Sequence, residues 1–233
     1  MKTDTIRKAM LSAIACTALA GCGSRASVNI SVNPDSTIVV EEVVLLADSD
    51  DGTPVDYTQQ PYARLVPSDA SQMYEENTQH VETIDGTEYT GYYTKTKAMT
   101  LDEYKQLASN GGDYAFTPEI QIVKSGIPFV KMAKISSTGA LDAITSAGYT
   151  LDGSSLKVNI SVPGTVLESN QTEIDSKTGA YVWENDDINN MSITFRYLDT
   201  SGAFKNVMAA IVLIGFVLVG LEVLNVFTKP EIH

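Results

Sequence analysis

Val207 to Phe227, "VMAAIVLIGFVLVGLEVLNVF", is a run of 21 residues in which only Glu222 and Asn225 are polar. As a helix rising about 1.5 Å per residue it covers about 30 Å, the thickness of a bilayer's hydrocarbon core. It is too long and too evenly apolar for a buried core helix. Lys205 stands before it, and Lys229-Pro230 follows with a charge and a helix breaker. The sequence therefore predicts a transmembrane helix over residues 207–227 and a short cytoplasmic tail over 228–233. Glu222 and Asn225, three residues apart, share one side of that helix and mark the face that a membrane protein partner would recognise.

The other end carries an export signal. Lys2, Arg7 and Lys8 form a basic start, Ala9 to Ala20 a short apolar stretch, and Leu19-Ala20-Gly21-Cys22 closes it. The basic, apolar and small-residue order is that of a secretory signal. Leu19, Ala20 and Gly21 before a cysteine resemble the bacterial lipobox, in which the cysteine takes a diacylglyceryl group and becomes the new N-terminus. Cys22 is thus the expected lipidation site, residues 1–21 the signal peptide, and Cys16 is lost with it. A lipidated Cys22 lies on the exported side. Both anchors then hold one membrane, with the main domain extracytoplasmic.

Between them, residues 22–205 suit one domain. Only Asp4, Glu222 and Glu231 of the 29 acidic residues lie outside it, and only Lys2, Arg7, Lys8 and Lys229 of the 16 basic ones. The body is strongly acidic, which argues against nucleic acid as a partner and against lying flat on anionic lipid by charge alone. With Cys16 removed and Cys22 lipidated, no disulfide is available, so packing alone must hold the core.

Strands dominate the body. Val28, Ile30 and Val32 alternate with Ser27, Asn29, Ser31 and Asn33, as a half-buried strand requires. Asn33-Pro34-Asp35-Ser36 turns the chain into a long valine-rich strand from Thr37 to Ala47. Asp85-Gly86 joins Val81–Ile84 to Glu88–Lys95 as a hairpin. Lys124-Ser125-Gly126 joins Glu119–Val123 to Pro128–Ile135. Further strands are expected at Leu156–Val162, Val166–Glu168, Tyr181–Glu184 and Met191–Tyr197. Thr100 and Glu103 form a capping box for a helix that Asn110-Gly111-Gly112 ends. A second helix is expected from Gly139 to Ala147, and a helical turn near Ser71 to Asn77. The fold class is α+β: a mainly antiparallel twisted sheet with two or three short helices packed on it, plus the C-terminal span. "VNISV" occurs at residues 28–32 and again at 158–162. The flanking residues differ and alternating strands reuse a small alphabet, so the repeat reads as coincidence.

The order of these features is similar to that of a known family. A lipobox leads into "VNISVNPDSTIVVEEVV", "DGTEYTGYYTKTKAMTLDEYKQL" lies in mid-chain, and a region with Pro163-Gly164, Asn170 and Val182-Trp183 precedes the last helix. This resembles the LppM-like lipoproteins of Gram-positive bacteria. The resemblance implies an α+β ectodomain similar to lipid-binding domains with an elongated apolar groove, and implies no enzymatic activity. The chain departs from the family's pattern between Gly52 and Glu76, and no ligand-contact residue is carried over.

Catalytic motifs are lacking: there is no Gly-x-Ser-x-Gly elbow, no His-Glu-x-x-His and no phosphate loop. His80, the body's one histidine, has no accompanying serine signature and reads as a surface or strand residue. Asp48, Asp50 and Asp51 begin like a calcium loop but lack its later ligands; like Glu184, Asp186 and Asp187, they read as solvated turn carboxylates. Tyr92 and Tyr93 point to opposite sides of a strand, and Trp183 reads as a core anchor. No catalytic, cofactor-binding or metal residue is assigned. The expected function is a non-enzymatic, doubly anchored envelope lipoprotein in contact with membrane lipids, whose domain binds a lipid or other amphiphile. The alternative is an accessory subunit of a membrane complex, docked through its helix.

Cys22→Ser tests the two-anchor topology. The variant is expected to lose acyl labelling and to keep its signal, yet still to fractionate with membranes through Val207–Phe227. A soluble variant would remove the case for a C-terminal span.

Overall fold

The computed structural model describes residues 24–47, 73–110, 118–139 and 155–227. Leu19, Ala20, Gly21 and Cys22 lie outside these residues, as do Asp48, Asp50, Asp51 and nearly all of the expected helix from Gly139 to Ala147.

The alternating stretches are strands. β1 (Ser24–Val32) and β2 (Ile38–Ala47) form a hairpin. Its turn is closed by Asn33 N–H donating to Thr37 O at 2.8 Å and by Asp35 Oδ1 accepting from Thr37 Oγ1 at 2.7 Å. β3 (Tyr74–Ile84) and β4 (Thr87–Thr96) form the second hairpin. Asp85 and Gly86, at φ 53° and 82°, give the doubly left-handed turn that matches strand twist. β5 (Glu119–Lys124), β6 (Val130–Ser136), β7 (Ser155–Ser161), β8 (Thr165–Ser169), β9 (Glu173–Ile174), β10 (Tyr181–Glu184) and β11 (Ser192–Leu198) follow.

These strands form two sheets, ordered β3-β4-β2-β1-β7-β10-β9 and β5-β6-β11-β8. The expected single sheet is corrected on that point. Alternation marks one buried face per strand but does not say which sheet the strand joins. Val28, Ile30, Val158, Ile160 and Trp183 of the first sheet share one buried cluster with Ile120, Ile135, Ile193 and Phe195 of the second.

The first sheet is also not wholly antiparallel. β1 runs parallel to β7, with Val28, Asn29, Ile30 and Ser31 opposite Val158, Asn159, Ile160 and Ser161. The two copies of "VNISV" are therefore neighbours at the sheet's centre, paired residue for identical residue. Asn159 Nδ2 donates to Asn29 Oδ1 at 2.6 Å, which adds a side-chain rung to the backbone ladder. The two copies share one structural setting: Val28, Ile30, Val158 and Ile160 face the core, and the alternating polar residues face the other side.

The capping box forms as expected on α1 (Leu101–Asn110): Thr100 N–H donates to Glu103 Oε2 at 2.7 Å, and Glu103 N–H to Thr100 Oγ1 at 3.3 Å. Of the helical turn expected near Ser71 to Asn77, Met73 is in a 3-10 turn and Ser71 and Gln72 lie outside the described residues, but Tyr74 to Asn77 extend β3 against Lys95, Thr94 and Thr96 of β4. Long-range pairing outweighs the weak local preference there.

Pro163-Gly164, Asn170 and Trp183 join the sheets. Pro163-Gly164 carries the chain from β7 in the first sheet to β8 in the second. Gly164 has φ +83°, and a Cβ there would stand 2.3 Å from Arg196 O, so a side chain does not fit. Asn170 Oδ1 accepts from Trp183 Nε1 at 3.0 Å and from Ser192 N–H at 2.8 Å, while its Nδ2 donates to Asn190 O at 2.7 Å. Trp183 is fully buried, the core anchor expected of it.

β11 leads into α2 (Gly202–Phe227), which covers the whole C-terminal apolar run. Thr200 N–H donates to Pro34 O at 2.9 Å, and the partly buried Asp199 pairs with Lys131 at 2.9 Å. Burial alone would raise the Asp199 carboxyl, but hydrogen bonds from Lys131 and Ser201 hold it below its usual range. The expected membrane span is not shown: among the described residues no helix is long and apolar enough to cross a membrane. The side chains of α2 are described only as far as Val219.

Gly86 and Gly164 separate backbone strain from close contact. Both sit near φ +80°, but nothing lies within 4 Å of a Cβ at Gly86. Gly86→Ala is expected to cost about 1–2 kcal/mol, the left-handed penalty alone. Gly164→Ala should cost clearly more in urea unfolding of residues 23–205. Equal losses would contradict the close approach of β8 and β11.

Candidate functional site

The parallel register sets Arg25 opposite Ser155 and Ser27 opposite Lys157. All four side chains fall on the face of the first sheet that points away from the second. They line a cleft of about 190 Å³ whose apolar part is Ala26, Val43, Leu45 and Ile84. Glu82 and Ile84 belong to β3, separated from β1 by β4 and β2, so the sheet is curled here. Gly91 of β4 lets this happen. It pairs with Leu45, and a Cβ on it would stand 1.7 Å from Val44 O.

The rim is charged. The Arg25 guanidinium lies over the Tyr89 ring, 5.2 Å from its centroid. Such cation–π contact fixes a flexible side chain without consuming its hydrogen-bond donors. Lys157 is ion-paired with Glu184. Glu82 completes the rim and lies 3.8 Å from His80 Nε2. An apolar floor edged by Arg25, by Lys157 with its partner Glu184, and by Glu82 suits an amphiphile with an acyl portion and an anionic head that Arg25 would meet. At about 190 Å³ the cleft falls below the roughly 300–1,000 Å³ of pockets that engulf a ligand. It can grip part of a chain at most.

A second feature lies on the inner face. Val40, Glu42 and Val44 point the same way, with Glu42 between Val28 of β1 and Thr94 of β4. Only 8% of Glu42 is exposed. Removal from water pushes its carboxyl up to about 7 from the usual 4.5. Burial also raises the phenols of Tyr74 and Tyr104, and the charge of Glu42 raises them further. Tyr104 O–H donates to Pro118 O at 2.8 Å, so α1 is pinned across this side of the domain.

The other sequence candidates are dispersed. His80 sits on the outer hairpin, its ring 6.4 Å from that of Tyr93. Asp187 Oδ2 accepts from Thr172 Oγ1 at 2.8 Å, and Glu184 serves Lys157. Among the described residues, no three His, Cys, Asp or Glu side chains are grouped to hold a metal ion. Glu222 and Asn225 are in the backbone of α2, with side chains outside the described residues. Arg25, Lys157 and Glu42 were not singled out from the sequence. The alternation in "IVVEEVV" does place Glu42 with the valines, and that signal could have found it.

Residues 25–197 match the family model of the LppM domain, which covers most of the chain. The chain belongs to the LppM-domain family. An NMR structure of the folded domain of the Mycobacterium tuberculosis LppM protein is similar, with 18% identity, a TM-score of 0.47, and coverage of 77% of this chain and 93% of that one. No curated protein matches the chain. Within this LppM domain, Gly164, Asn170 and Trp183 serve the joining of the two sheets rather than the cleft.

Glu42 makes a signed prediction about pH. The folded state binds its proton more tightly than the unfolded chain, so stability falls as pH rises from 4.5 to about 7 and levels off above. The full loss is about 3 kcal/mol. Glu42→Gln should remove this term, so that the variant gains on the parent protein by about that amount across the window. A pH-independent difference between the two in urea unfolding would show that Glu42 is hydrated.

Proposed function

We propose that this LppM-domain protein is a non-enzymatic envelope lipoprotein whose exported domain holds part of a membrane amphiphile in the Arg25–Lys157 cleft. In this reading Cys22 is lipidated after cleavage behind Leu19-Ala20-Gly21, and α2 crosses the cytoplasmic membrane as a single span. The cleft carries the proposal: an apolar floor of Val43, Leu45 and Ile84 opens beneath Arg25 and Lys157. Arg25 lies three residues from Cys22, so the cleft sits beside the lipid anchor. The span is supported by the apolar run and by the helical backbone of α2 across all of it. Glu222 and Asn225 would carry a membrane protein partner if the cleft proves empty.

Residues 23–205 should take up a fluorescent fatty-acyl probe weakly but saturably. Ile84→Glu puts a carboxylate into the floor near a hairpin turn, and should reduce uptake severalfold with the thermal melt unchanged. Arg25→Glu should lower the affinity for an acyl carboxylate more than for its neutral ester. Absence of saturable uptake in the parent domain would overturn the cleft and favour the membrane-complex subunit.

A further inference from the structure

The end of the second sheet nearest α2 is apolar and exposed. The β5–β6 turn presents Ile127, 61% exposed, and Phe129, 38% exposed, with Val123, Met132 and Leu198 beside them. The turn is built rather than loose. Ser125 Oγ donates to Val130 O at 2.7 Å, and Ile127 N–H donates back to Ser125 Oγ at 3.2 Å. Phe129 stands at φ 61°, a left-handed conformation that a bulky residue rarely adopts. Its carbonyl accepts from Asp199 N–H at 2.7 Å, and its ring meets Phe204 edge-on at 5.6 Å between centroids. The Asp199 hydrogen bond and the ring contact thus hold this strained residue, and its aromatic ring, against the first turn of α2, and Ile127 beside it is the more exposed.

We propose that the β5–β6 turn is a membrane foot, seating Ile127 and Phe129 in the lipid leaflet where α2 enters it. The proposal rests on reading α2 as a span. Phe204 precedes Val207 by three residues, about 4.5 Å along the helix axis. A side chain in contact with Phe204 therefore stands within the layer, roughly 5–10 Å deep, in which amphipathic apolar faces settle. Lys124, exposed at the base of the turn, supplies a cation for the headgroups. The domain's attachment brings this surface down. Pro34, just past the end of β1, is bonded to Thr200 at the start of α2, whereas Cys22 lies just before the other end of β1. The two anchors are thus separated by the nine residues of β1, about 30 Å. With both in one bilayer, β1 lies along the membrane and the turn faces lipid. Apolar contact, unlike charge attraction, does not require a basic surface, which this acidic domain lacks.

The full-length protein, reconstituted in phosphatidylcholine–phosphatidylglycerol vesicles, tests this with an environment-sensitive fluorophore on single cysteines. At Ile127→Cys, emission should shift to the blue and be quenched strongly by lipids carrying a nitroxide near the headgroup. A nitroxide near the chain end should quench it less. Val81→Cys, on the far edge strand and also exposed, should remain water-like. Quenching at Ile127→Cys no greater than at Val81→Cys overturns the foot, as does protection without lipid quenching, which would mean a protein partner. Val212→Cys reads the span separately: deep quenching there with a water-like Ile127→Cys discards the foot and keeps the span.

Discussion

Everything else in the domain hangs on the parallel pairing of β1 with β7. It joins the N-terminal strands β3-β4-β2-β1 to the C-terminal strands β7-β10-β9 in one sheet. Its inner residues, Val28, Ile30, Val158 and Ile160, form the centre of the shared core. Its outer residues set Arg25 and Lys157 around one cleft. A shift of one residue would turn the valines outward and the asparagines inward, because side chains alternate with a period of two. The Asn29–Asn159 hydrogen bond guards that register: it forms only when the two copies stand level.

The same strand, β1, runs between the two proposed membrane attachments. Cys22 lies two residues before β1, and the turn after β1 is bonded to the start of α2. Lys131 reaches both Ser36 in that turn and Asp199 before the helix, each at 2.9 Å, and Tyr197 also bonds Ser36 at 2.9 Å. A stiff strand and a bonded junction, rather than a linker, therefore join the two proposed attachments. In the proposed function, two points of attachment would restrict tilt where one does not.

Much of this was legible in the sequence, in the parts governed by local rules. Asp85-Gly86, Thr100 with Glu103, and the alternation of Val28, Ile30 and Val32 each dictate structure over a few residues, and each forms as read. The parallel ladder was not legible that way. Its strands are over a hundred residues apart, and no turn joins them; the repeated "VNISV" was the one signal, and it resembled the ordinary vocabulary of strands. The division into two sheets was hidden for a related reason, since a half-buried strand looks alike in either. The cleft was harder still. Arg25, Val43 and Ile84 belong to three strands, and only the curl permitted by Gly91 brings them together. The family motif at Gly164, Asn170 and Trp183 was visible but marks the joints of the sandwich.

Native-state hydrogen exchange on residues 23–205 tests the central role of the ladder most directly. The amides of Val28, Ile30, Val158 and Ile160 should exchange only through global unfolding, with one common free energy. The β3–β4 hairpin, at the sheet's edge, should open at lower cost. Exchange of β1 or β7 by local opening, at a free energy at or below that of the hairpin, would contradict the account.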